Sequence, residues 1–199
     1  MSGTLSTTFE MASVELVSDQ KVFHSKSLNG SRFARLGGYH QWRIKITFNQ
    51  MTRSEIGSLM GFLVEQRGKY ETFSLTPSGY ETPQGNWNTS VTVSSVTNDY
   101  VITLAGLATS DADAVKAGDV FTIAGDNKVY MITQNAASDG SGNATVRFEP
   151  GLRVTPSGGE AVTHTGVLFT VELDQETIGF KRSGYIYDQY TIDLVEALA

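Results

Sequence analysis

The stretch HQWRIKITFNQMTRSEIGSLMGFLVEQRGKYETFSLT, residues 40–76, constrains the fold more than any other part of the chain. Trp42, Ile44, Ile46 and Phe48 alternate with Arg43, Lys45 and Thr47. A period of two means a strand with one buried face and one cationic face. Directly after it the pattern changes. Thr52 and Glu55 stand at the spacing of a capping box, and Met51 and Ile56 take the N′ and N4 positions of a hydrophobic staple. Ile56, Leu59, Met60, Leu63 and Val64 follow at helical spacing and form one apolar stripe. Gly68 stands where a left-handed glycine ends a helix, and Arg67 suits the negative end of the dipole. The pattern predicts a helix over about 53–67 and a returning strand over 70–76. Such a helix must lay its stripe on a sheet.

The remainder reads as β structure. Short β-like runs at Ser90–Val96, Tyr100–Ala105, Asp119–Ile123, Lys128–Thr133 and Ala144–Phe148 are separated by turn signals such as GDN (125–127) and SDGSGN (138–143). Strands at this spacing, with no helical pattern between them, indicate a small barrel or sandwich. Further strands are expected at Val167–Leu173 and Tyr185–Val195, with Tyr190, Ile192 and Leu194 sharing a face. Two turn-rich stretches, PSGYETPQGNWNTS (77–90) and TPSGGEAVTHTG (155–166), divide the chain. A C-terminal piece of some 34 residues is too short to bury its own core. It is therefore expected to complete the sheet begun before residue 81. The expected organisation is one discontinuous domain, 1–81 plus 166–199, interrupted by an all-β domain at 82–165.

Charge and composition exclude several functions. Net charge is −6, distributed as +2 over residues 1–82, −4 over 83–165 and −4 over 166–199. That is no basic stripe of a nucleic-acid binder. The local exception is Lys21, Lys26, Arg32, Arg35, Arg43 and Lys45, with no acid within that span; a solvated face or an interface accounts for it. With no cysteine, disulfides, thiolate metal sites and thiol catalysis are excluded. The first twenty residues lack the basic and apolar regions of a signal peptide, and no apolar run is long enough to span a bilayer. The expectation is a soluble chain made in the cytoplasm, with no membrane insertion.

Catalysis finds no support in the motifs. His24, His40 and His164 have no metal-ligand spacing, so no metal and no cofactor is expected. Asp139, Ser141 and Asn143 suggest a calcium loop, but Ala144 and Pro150 stand where that loop needs Gly and Glu. A hairpin turn fits better. Gly37-Gly38 before a strand suits a bend, not a phosphate cradle. Carboxylate pairs such as Asp111/Asp113 and Glu172/Asp174 carry nothing that places them in a cleft. The chain is therefore read as not an enzyme. Tyr80, Trp87 and Tyr100, near or in the interrupting domain, could stack on sugars; the other reading packs them at the seam between domains.

SRFARLGGYHQWRIKITF, the capped helix and KYETFSLTPS together resemble the opening of distal tail proteins of long-tailed bacteriophages. KAGDVFTIAGDNKVYMIT…SDGSGNATVRFEP (116–150) is similar to a β module of phage structural proteins. The resemblance implies a tail-tube-like β-sandwich with a flanking helix, interrupted by an OB-like barrel. It implies a structural virion protein of the tail tip. Six copies would form a ring joining tail tube to tip or baseplate hub, with a lumen that DNA passes without specific binding. Head-to-tail contacts close such rings, and an acidic balance suits a lumen that must not hold phosphate. Arg32, Arg35, Arg43 and Lys45 are then the candidate contacts with a second subunit or the tube protein. Tyr80, Trp87 and Tyr100 are the candidate contacts with host surface polysaccharide. A carbohydrate-binding tail protein and a tail-tube subunit are the alternatives.

Overall fold

The computed structural model describes residues 3–5 and 9–198. In chain order the elements are β1 (Met11–Lys26), β2 (Arg32–Phe48), β3 (Met51–Thr52), α1 (Arg53–Glu65) and β4 (Phe73–Leu75). Then come β5 (Thr92–Asn98), β6 (Val101–Ala105), β7 (Val120–Ile123), β8 (Tyr130–Ile132), β9 (Ala144–Glu149) and β10 (Val162–Thr163). The series ends with β11 (Phe169–Leu173), β12 (Arg182–Ser183), β13 (Ile186–Tyr187) and β14 (Tyr190–Glu196). Strand accounts for 44% and helix for 7%, so the chain is mainly β. It forms two compact units: unit 1 is Met1–Leu75 with Thr170–Ala197, and unit 2 is built on Thr76–Phe169.

Unit 1 holds a five-stranded sheet in the order β1-β2-β14-β11-β4. The alternation in β2 does what period two requires. Trp42, Ile44, Ile46 and Phe48 are buried while Arg43 and Lys45 are exposed. The sheet takes strands from both ends of the sequence, with Ile46 opposite Ile192 and Ile44 opposite Leu194. The helix starts as its caps dictate. The Glu55 carboxylate accepts the Thr52 backbone N–H at 2.7 Å and the Thr52 hydroxyl at 2.8 Å. These bonds favour the ionised form and hold the Glu55 carboxyl below its ordinary range. Met51 and Ile56 of the staple are both buried.

Two details of the helix differ from the sequence pattern. Val64 is exposed, so the buried stripe is the narrower set Ile56, Leu59 and Leu63. Phe62 meets Phe73 of β4 edge to face at 5.2 Å. The helix ends at Glu65, and Arg67 is the first left-handed residue, with φ 54, followed by Gly68 with φ 67. An added Cβ at Gly68 would stand 3.2 Å from the Glu176 backbone. The glycine is thus needed for a close approach as well as for its φ.

The β1–β2 hairpin runs far beyond the sheet. Its register is continuous from Val14 opposite Ile46 to Gln20 opposite His40, then shifts, and resumes with Val22 opposite Leu36. Gly37 and Gly38 absorb the shift. Gly38 has φ 89, and a Cβ at Gly37 would come within 2.7 Å of the Lys21 Cβ. A bulge of this kind bends a hairpin and increases its twist. The predicted bend at Gly37-Gly38 is therefore the joint between a sheet half and a projecting half.

Unit 2 holds a six-stranded sheet in the order β10-β7-β8-β9-β6-β5. Its ends approach one another. Val93 N–H donates to the Glu160 carbonyl and Val162 N–H to the Val91 carbonyl, each at 2.9 Å. The sheet is thus a nearly closed barrel, which leaves little exposed edge. Its core is Val93, Ile102, Leu104, Phe121, Tyr130, Ile132, Val146 and Phe148, with Trp87 packed at the margin. The SDGSGN segment is a turn: the Asp139 carboxylate accepts backbone N–H groups of Ser141 at 2.8 Å and Asn143 at 2.9 Å. Those bonds hold the Asp139 carboxyl below its usual range, the Asn143 N–H most of all.

Candidate interaction surfaces

The six cations that read as one run lie in two different settings. Arg43 is on the outer face of the unit 1 sheet, bracketed by acids. Its Nε is 2.7 Å from Asp19 and its NH1 is 2.6 Å from Asp174. Asp174 also accepts Lys69 Nζ at 2.8 Å. The Asp19 hydrogen bond leads in raising the Arg43 pKa, and the Lys69 bond leads in holding the Asp174 carboxyl down. Lys45 stands opposite Glu15 on one side and Asp193 on the other in the strand register. The outer face of β2 is therefore one row of a mixed-charge surface. No local pattern could reveal this, because Asp174 and Asp193 arrive with the C-terminal strands.

Arg32 and Arg35 are in the other setting. They lie past the Gly37-Gly38 joint, on the projecting half of the hairpin, with Lys21 and Lys26. Among the described residues none of these four cations is in an ion pair. Around them Val22, Phe23, Leu28, Phe33, Leu36 and Tyr39 are all exposed. The sequence pattern shows the cations but not these apolar neighbours as a group. The stretch has no clean alternation, because neither of its faces is covered.

Of the three aromatics of the sugar-stacking reading, Tyr80 and Trp87 adjoin the same residues of unit 2, Asp119 and His164, while Tyr100 packs on a different neighbour. Trp87 stacks on His164 with ring centroids 4.8 Å apart and packs on Phe121 at 6.3 Å. Tyr100 lies against Gly151, where an added Cβ would stand 3.0 Å from its ring. Tyr80 lines a small polar recess with Gln84, Gly118, Asp119 and His164. Among the described residues, no group of three or more His, Asp or Glu could hold a metal ion, and no helix is long and apolar enough to cross a membrane.

Asp119 carries the order of that recess, and sequence reasoning missed it. It is 3% exposed. Oδ1 accepts the Gln84 N–H at 2.7 Å; Oδ2 accepts the Gly85 N–H at 3.1 Å, the Trp87 indole N–H at 2.8 Å and the Lys116 N–H at 3.1 Å. One carboxylate thus fixes the PQGNW loop to the start of β7. Gly85 is required there, since a Cβ would stand 2.8 Å from the Ala114 carbonyl oxygen.

His164 closes the other side of the loop. Its Nε2 is 2.7 Å from the Asn88 carbonyl and its Nδ1 is 3.1 Å from the Thr165 hydroxyl. A carbonyl only accepts, so Nε2 carries a proton, and the Thr165 hydroxyl can donate to Nδ1 of a neutral ring. Burial lowers its pKa, outweighing the Asn88 bond and the Asp119 charge that raise it. The folded ring therefore resists protonation where the unfolded one, near about 6.5, does not. Stability of unit 2 is expected to fall as pH drops through that value, because the unfolded chain takes up the proton first. Melting scans between neutral and mildly acidic pH check this. His164→Gln keeps a donor for Asn88 and should flatten the slope; an unchanged slope would assign it to other groups.

The chain is mainly β, and the β1–β2 hairpin carries an exposed apolar and cationic arm. A comparison with known protein families adds a likeness for unit 2. Residues 80–167 match the family model described as distal tail protein pb9, B domain, which is nearly all of unit 2. That segment of the chain is similar to the B domain of phage distal tail proteins, and the match supports a structural component of a phage tail and so of the virion. No curated protein matches the chain significantly in sequence.

Proposed function

We propose that the chain is the ring-forming subunit of a phage tail tip. Six copies close head to tail into a ring that joins the tail tube to the tip or baseplate hub, with a lumen for DNA. Unit 1, a tail-tube-like sandwich, makes the ring, and unit 2, an OB-like barrel, is carried by it. The observation that carries this reading is where apolar side chains meet solvent. Among the described residues, eleven of the thirteen large exposed hydrophobics belong to unit 1. Exposed apolar surface gathered in this way marks an association surface, and unit 2 has almost none. The net charge of −6 supports a lumen that repels phosphate.

Light scattering and negative-stain microscopy of the full-length chain test the proposal. The expected result is a particle of six subunits with a central hole. A chain that stays monomeric at every concentration, alone and mixed with its tail-tube protein, overturns it. Lys45→Glu adds a residue-level check. It places a third acid beside Glu15 and Asp193 and should weaken the ring if that face is a contact, whereas an intact ring removes Lys45 from the interface. The carbohydrate-binding reading has less support, since Trp87 and Tyr100 are engaged on different partners.

A further inference from the structure

The projecting half of the β1–β2 hairpin is a built element without a core. Its turn is well specified. Ser27 N–H donates to the Ser31 carbonyl and Gly30 N–H to the Ser27 carbonyl, each at 2.9 Å, and Asn29 Oδ1 accepts the Ser31 N–H at 3.1 Å. Gly30 has the φ of 82 that this turn needs. From the turn the strands pair without interruption, Lys26 with Arg32, Ser25 with Phe33, His24 with Ala34, Phe23 with Arg35 and Val22 with Leu36. Directly opposed residues share a face. One face therefore carries Val22, Leu36, Lys26 and Arg32, and the other carries Phe23, Phe33 and Arg35.

Both faces are in solvent. Phe23 is 59% and Phe33 61% exposed, and Leu28 at the tip is fully exposed. A two-stranded hairpin alone is marginally stable in water, and exposed aromatics add no stability to an isolated subunit. They acquire a role when something covers them. The register shifts at the Gly37-Gly38 joint, and within unit 1 no strand beyond the hairpin's own two pairs with residues 21–36.

We infer that the arm, residues 21–39, docks on a second copy of this chain, and that its four cations select the acidic surface of that copy. The inference rests on the ring reading and names the element that makes the contact. Charge complementarity identifies the occupant. The arm carries Lys21, Lys26, Arg32 and Arg35 and no acid; the rest of the chain holds 11 basic and 21 acidic residues. A neighbouring copy therefore offers the opposite charge, and head-to-tail closure lets every subunit give one arm and receive one. Aromatic and arginine side chains together are the composition of interface hot spots.

The chain has no cysteine, so Leu28→Cys provides one attachment point at an exposed tip for a thiol-linked photocrosslinker. The expected product, from mixed heavy- and light-isotope full-length chains, joins position 28 of one copy to an acidic segment of another. A second variant combines Phe23→Ser, Phe33→Ser, Arg32→Glu and Arg35→Glu, all at exposed positions, with unit 1 melting as the check on folding. Its self-association should weaken at least about thirtyfold, the size of a single hot-spot loss. Rings that form equally well with the altered arm overturn the arm contact and leave the ring reading standing. A wild-type chain that never self-associates removes both. Crosslinks confined to the arm's own chain, or recovered only with added duplex DNA, also overturn the inference.

Discussion

Asp119→Ala is expected to destabilise unit 2 by about 3 kcal/mol, the cost of stripping a charged acceptor from several partly buried donors. Four N–H groups lose their partner at once: those of Gln84, Gly85 and Lys116 and the Trp87 indole. For a unit of this size the loss lowers the melting midpoint by roughly 12–24 °C. The isostere separates charge from geometry. Asp119→Asn can keep its oxygen where three donors converge, but its amide nitrogen then faces the Gln84 N–H. It should cost clearly less than alanine. Equal losses for the two would mean that the negative charge, and not the count of acceptors, orders the loop. Thermal unfolding with Trp87 fluorescence reads both variants, because the indole is one of the four donors.

Phe121→Ala should cost the same unit about 3–5 kcal/mol, the range for removing a buried aromatic. Phe121 is fully buried and sits at the centre of the barrel's rings. Phe148 meets it edge to face at 5.5 Å, Tyr130 lies at 5.6 Å and Trp87 at 6.3 Å. The space left cannot be refilled by Tyr130, whose hydroxyl is tied to Asp126 at 2.7 Å and accepts the Arg153 N–H at 3.1 Å. Phe121→Leu retains most of the volume and should lose much less. Chemical denaturation of the full chain reads the difference in the unit 2 transition; a loss under about 1 kcal/mol would mean that the barrel collapses around the gap.

What was legible in the sequence was whatever depends on near neighbours. The capping box at Thr52 and Glu55 is a matter of three residues, and it formed. The alternation in β2 named its buried face correctly. The helix ends short of the expected position because a left-handed Arg67 looks no different in sequence from a helical one. The arm was illegible for another reason. Pattern reading finds a strand through the contrast between its covered and open faces, and residues 21–36 have no covered face. The partners of Arg43 were hidden by distance along the chain, since Asp19 and Asp174 are brought to it by pairing of β1 and by the return of the C-terminal strands. Asp119 belongs with these: among many carboxylates, only the folded loop distinguishes it.

The place of β14 in the sheet has a consequence for how the subunit comes into being. It is the middle strand of five, flanked by β2 and β11, yet among the described strands it comes last in chain order. Nearly all of unit 2 is one contiguous segment, whereas β1 finds its partner in the adjacent β2 and β2 pairs on its other side with a strand some 140 residues downstream. A polypeptide that stops short of residue 190 would carry a finished barrel on a sheet lacking its central strand. The two units are therefore expected to differ in what such a cut removes: unit 2 keeps its strands, and the unit 1 sheet loses the strand that joins β2 to β11.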